Sequence, residues 1–229
     1  MLFGWLNPMY FVFIAPALLL GMYAQMRIRS TYAQAQRMPS QLSGAGAARY
    51  ILDSAGLQNV TIEQVPGNLT DHYDPRHKVL RLSQAVYQSR SLAAVGIAAH
   101  EAGHAIQDAR AYAPLVVRNA VVPMAGIGSN IGLMMAMAGL IFQSLNFLVW
   151  IGIALFSVVV FFQLVNLPVE FNASARAKEQ LVSLGVIDNQ QLQAVSKVLN
   201  AAALTYVAAT LQAVMTLLYL LMRANSSRG

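Results

Sequence analysis

The chain has 229 residues, of which 57% are hydrophobic and only 10% charged, against about a quarter charged in an ordinary soluble domain. It has no cysteine, which excludes a disulfide framework, a thiolate metal site and a thiol nucleophile. The net charge of +6 is not gathered into a basic run interleaved with aromatics, so the expected partner is a lipid bilayer and no nucleic acid is expected.

Four stretches are apolar enough to cross a bilayer, which takes about 20 residues as a helix. They cover residues 9–26, 121–142, 147–167 and 201–222. The start (MLFGWLNP) carries no basic residue, and Arg27 and Arg29 follow the first apolar run. That order reads as a retained anchor with its start translocated, the reverse of a secretory signal. Residues 27–118 hold ten Lys or Arg, and Arg176, Lys178 and Lys197 follow the third span, while Gln143–Asn146 has none. By the positive-inside rule, 27–120 and 168–200 are cytoplasmic and both termini lie outside. The second span contains Gly128 and Gly132 in a G-x-x-x-G pair, read as close packing within this chain's own bundle. Thr205, Tyr206, Thr210 and Gln212 make the fourth span the one expected to face protein on one side.

In the first cytoplasmic segment, 30–43 extends the first helix, and 47–55 reads as a short helix closed by Gly56. Residues 60–65 alternate as a strand, Pro66-Gly67 marks a turn, 71–75 is a turn-rich loop, and 78–82 is a second strand. Residues 83–89 and 92–111 are helical. The fold expected is a mainly α integral membrane protein with about four transmembrane helices and a small α+β cytoplasmic unit. That unit could bury little core alone, so residues 1–229 are expected to form one folded body.

The last of those helices contains His100-Glu101-Ala102-Gly103-His104, an H-E-x-x-H sequence. At about 100° per residue the two histidines lie about 40° apart and one turn from each other. Both imidazoles can reach one metal ion, with Glu101 beside the open position as the base for a metal-acidified water. A third ligand must come from elsewhere. Glu170, in Pro168-Val169-Glu170-Phe171-Asn172-Ala173-Ser174, lies 66 residues beyond His104. The hairpin of spans two and three returns it to the side that holds His100, and Pro168 can open a helix there. A carboxylate at a span end needs a partner, which a metal supplies. Glu179 and Asp188 read as solvated charges.

Three segments, AAHEAGHAIQ, NLTDHYDPRHKVLRLS and NLPVEFNASARA, resemble the YugP-type neutral zinc metallopeptidases of bacterial membranes, over residues 30–222. That family is similar in outline to the HtpX-type membrane gluzincins. The resemblance implies a single zincin-like metallopeptidase domain, with Zn2+ held by His100, His104 and Glu170 and with Glu101 as general base. It implies an endopeptidase of the bacterial inner membrane, with its site on the cytoplasmic side, cutting membrane or unfolded proteins. HtpX-type enzymes carry Asp four residues after the ligand Glu, where this chain has Ser174. Asn172 or Ser174 is then expected to orient His100 or His104. Arg176, His72 and Tyr73 are candidates to steady an oxyanion. The strand around Leu80 either offers its edge to an extended peptide or is an ordinary core strand. A membrane-protein partner or a homo-oligomer is left open, and the rival reading is a catalytically silent zinc-binding scaffold.

Overall fold

The computed structural model describes residues 8–226. The translocated start expected for the chain therefore lies partly outside the described residues. Helices α1 (Pro8–Gln36), α7 (Phe147–Ser183) and α8 (Asn189–Ser226) are long. Between them lie α2 (Gly44–Ser54), α3 (Gln84–Tyr87), α4 (Leu92–Ala109), α5 (Ala113–Ile127) and α6 (Leu133–Ile141), with one turn of wider helix at Gly128–Gly132 joining α5 to α6. Four helices, Pro8–Gln36, Ala113–Ile141, Phe147–Ser183 and Asn189–Ser226, are long and apolar enough to cross a membrane. Each contains one of the stretches that hydropathy marks, apart from the final residue of the second.

The chain divides into two compact units. One comprises Val116–Leu167 with the stretch up to Tyr23 and the stretch from Leu204. Its helices pack through small residues. Gly128 and Gly132 lie against Leu155 and Gly152 of α7, so the G-x-x-x-G pair is used inside this chain. Tyr10 and Phe13 of α1 meet Tyr219 of α8 edge-on, with ring centroids 5.0 and 5.9 Å apart. Thr210 is buried, and its hydroxyl donates to the Tyr206 carbonyl at 2.9 Å, while Gln212, expected on the same protein-facing side, is exposed.

The other unit, Ala24–Leu115 with Pro168–Ala203, holds the sheet. Strands β1 (Thr61–Val65), β2 (His72–Asp74) and β3 (Val79–Ser83) form it in the order β1-β3-β2. β1 runs parallel to β3 with Ile62 opposite Leu80, and β2 runs antiparallel with Tyr73 opposite Leu80. The stretch 71–75, expected to be a loop, thus supplies a three-residue strand. It is too short for an alternating pattern to show. β3 is flanked on both sides and Leu80 is fully buried, so of the two readings of this strand the core one holds and no free edge exists at Leu80. Ser43 caps α2 by accepting from Gly46 N at 3.1 Å, and Gly56, at φ +76°, ends that segment as expected. Ile51, Leu52, Leu82, Val95, Leu181 and Val195 join Leu80 in one apolar core.

One helix runs past its expected end. α7 continues through Pro168, which was expected to start a helix. The ring removes one N–H and crowds the carbonyl four residues back, at a cost of about 3 kcal/mol or more in a soluble helix. Val149, Ile153, Phe156 and Val160 before it and Val169, Ala173, Ala177 and Leu181 after it are buried, which offsets that cost.

Candidate metal centre

The site is built where α4 crosses α7. Ser91 caps α4 by accepting from Ala94 N, and the helix then runs through Ala93, Ala94, Ala98, Ala99, Ala102 and Ala105, all buried. With so little side chain the neighbours come close. A β-carbon added at Gly103 would stand 2.7 Å from the Ala173 carbonyl oxygen, so only glycine admits α7 at this depth. Ala173 is flanked by Glu170 one turn before it and by Ser174 after it, and both side chains are buried.

At this crossing His100, His104 and Glu170 converge, each offering a donor atom within 4.8 Å of the others, and they could hold a metal ion. Glu170 Oε2 lies 3.2 Å from His100 Nε2 and 3.6 Å from His104 Nε2. Donors on a tetrahedral zinc at about 2.0–2.2 Å would stand about 3.3–3.5 Å apart, so the spacing fits. The far ring nitrogens are occupied. His100 Nδ1 is 3.1 Å from Ser174 Oγ, and His104 Nδ1 donates to Gln107 Oε1 at 3.0 Å. In the neutral imidazole this leaves the Nε2 lone pair facing the Glu170 carboxylate, where a bound cation would satisfy both.

Glu101 is buried as well. Burial pushes its carboxyl up to about 7, while the charge on His100 draws it down, those on Glu170 and Asp71 push it up, and that on His72 draws it down. A carboxylate poised there suits a base working near neutrality.

The remaining residues singled out by sequence are placed as follows. Ser174 orients His100 directly. Asn172 touches neither histidine but accepts from Gln107 Nε2 at 3.0 Å and from Arg176 Nε at 2.7 Å. His72 is exposed on β2, with Nδ1–H donating to the Thr70 carbonyl at 2.8 Å. Tyr73 donates its hydroxyl proton to Asp108 Oδ2 at 2.9 Å, so that proton is engaged away from a substrate oxyanion. Burial and the Asp108 bond hold the Tyr73 phenol well above its ordinary range. Leu80 is a packing residue. Sequence reasoning missed Gln107 and Asp108. Both lie on α4, three and four residues after His104, so helical spacing was the signal that could have found them.

A His–His–Glu cluster, two of its members buried, in a chain with four membrane-length helices is what a helical membrane metalloprotein requires. The chain belongs to the neutral zinc metallopeptidases: the family described as "Putative neutral zinc metallopeptidase" matches residues 10–225. A relative from Bacillus subtilis (strain 168), named "Putative membrane protease YugP", is 46% identical over 217 residues, covering 93% of this chain and 96% of that protein. No solved structure matches the chain.

Proposed function

We propose that this chain is a membrane-embedded zinc endopeptidase of the H-E-x-x-H plus Glu type. The observation that carries the reading is the convergence of His100 Nε2 and His104 Nε2 on Glu170 Oε2, with a buried Glu101 on the same helix. His100, His104 and Glu170 would hold Zn2+, which when bound acidifies water and polarises a carbonyl. Glu101 takes the proton of the attacking water and returns it to the departing amine. With the Tyr73 hydroxyl and the His72 Nδ1–H engaged, the remaining N–H groups of Arg176 are the donors left for the oxyanion.

The substrate is a polypeptide in extended form. β2 is a sheet edge, and no other strand pairs with its outer side among the described residues. An unpaired edge takes an added strand through main-chain hydrogen bonds. This puts the docking edge on His72–Asp74 in place of β3. The Lys and Arg distribution supports a cytoplasmic site in a bacterial inner membrane, acting on membrane or unfolded proteins.

The test is to purify wild type and Glu101→Gln in detergent and to measure bound zinc and chelator-sensitive cleavage of unfolded casein. The reading expects zinc in both and cleavage by wild type alone. Zinc in both with cleavage by neither would replace it with the scaffold reading.

A further inference from the structure

Four side chains and one carbonyl beside the metal centre form a hydrogen-bond chain whose directions are all determined. Arg176 Nε can only donate, so the Asn172 atom facing it at 2.7 Å is the oxygen. The Gln107 atom lying 3.0 Å from that oxygen, and 2.8 Å from the Val169 carbonyl, must then be the amide nitrogen. This leaves Gln107 Oε1 turned to His104, and an amide oxygen accepts only. His104 must therefore carry its proton on Nδ1, 3.0 Å away. Gln107 is fully buried, so no water competes for these bonds. His100 is treated differently. Its Nδ1 meets the Ser174 hydroxyl, which can donate or accept, and its Nε2 lies 3.2 Å from Glu170 Oε2, so without metal the carboxylate, and not Ser174, decides where its proton sits.

We infer that Gln107 is a positioning residue that presets His104, before any metal arrives, in the tautomer that presents Nε2, and that Asn172 and Arg176 act through Gln107. The two histidines are thus unequal: an acceptor fixes Nδ1 of His104, while the hydroxyl on Nδ1 of His100 fixes nothing. The inference rests on the zinc reading above only in what the preset tautomer is for. A free imidazole in water favours the other neutral tautomer, with the proton on Nε2, and that form cannot ligate through Nε2. Residues that orient a ligand in this way commonly change metal affinity by about 10–100-fold.

The experiment uses the full chain in detergent with 15N-labelled histidine, freed of metal. Long-range 15N–1H spectra report which ring nitrogen carries the proton. His104 is expected to carry a proton on Nδ1, while His100 carries its proton on Nε2, toward Glu170. In Gln107→Met, His104 is expected to move toward the Nε2–H form with the His100 signals unchanged, which doubles as the check that the variant is folded. Zinc affinity, read by competition with a chromogenic chelator, should fall about 10–100-fold in Gln107→Met. Asn172→Ala should weaken binding less, because the bond to the Val169 carbonyl still holds the amide, and should add nothing on top of Gln107→Met.

Wild-type His104 with no proton on Nδ1 would overturn the inference without need of any variant. So would equal, additive losses from Gln107→Met and Asn172→Ala. Failure of the zinc reading looks different. A wild-type protein with His104 protonated on Nδ1 that takes up no zinc would sink the peptidase and leave the relay standing.

Discussion

The carbonyl oxygen of Ala173 occupies the space that a side chain on Gly103 would need, 2.7 Å from the position of its β-carbon. Since Ala173 sits between Glu170 and Ser174, this contact sets how closely the third ligand approaches the histidine helix. Gly103→Ala should push α7 outward, lowering stability by about 1–3 kcal/mol as overpacking does, and weakening zinc binding. Thermal unfolding and zinc competition measure both. Gly126→Ala, which meets nothing within 4 Å, is the control expected to leave zinc binding intact.

Asp108 joins the metal helix to the sheet edge, accepting from both the Tyr73 hydroxyl and Lys78 Nζ. Tyr73→Phe removes one of these bonds and leaves the aromatic ring in place. It should cost about 1 kcal/mol of stability and raise KM for casein more than it lowers kcat, since it loosens the proposed docking strand but no reacting group. A variant with kcat abolished and KM unchanged would mark Tyr73 as a catalytic residue.

Glu101 ionises at about 7 in the metal-free fold, above its ordinary value of 4.5, chiefly through burial. Its neutral form is thus favoured by folding. The stability this contributes is fully present below pH 4.5 and is lost as pH rises through 7. Glu101→Gln should accordingly raise the Tm of metal-free protein at pH 8 and change it little at pH 4.5. In the zinc-loaded enzyme a nearby cation favours the carboxylate, so the acid limb of kcat/KM is expected below pH 7.

Orientation is open to a direct measurement. Reporter fusions after Asn146 and at the C-terminus should both signal from outside the cell. A signal from the cytoplasm at both positions would reverse the proposed topology.

Much of this architecture is legible in the chain because lipid makes strong demands. A run of about 20 apolar residues has few other destinations, so the four long helices are readable. The pentapeptide with Glu170 is readable because ligand chemistry restricts residue type and spacing. β2 is not, since three residues carry no period and the strand exists only by pairing with β3. Pro168 misleads because its local preference is to start a helix, and the packing of Val169, Ala173 and Ala177 overrides it. Gln107 is hidden for another reason. Its hydrogen-bond partners other than His104 lie on a helix 62 and 65 residues away, and nothing in its own neighbourhood names them.

The alanines of α4 look like the most interchangeable part of this protein, and their burial makes them the least. Residues 92–96, 98, 99 and 101–107 are buried, most of them with a methyl group or less for a side chain. An added methylene there meets a neighbouring element, and polar atoms find no water. In a saturation mutagenesis screen scored for function, this low-complexity stretch should appear as a continuous block of intolerance. The bulky, lipid-type residues of the long helices, such as Leu19, Met22 and Met134, should accept most apolar replacements.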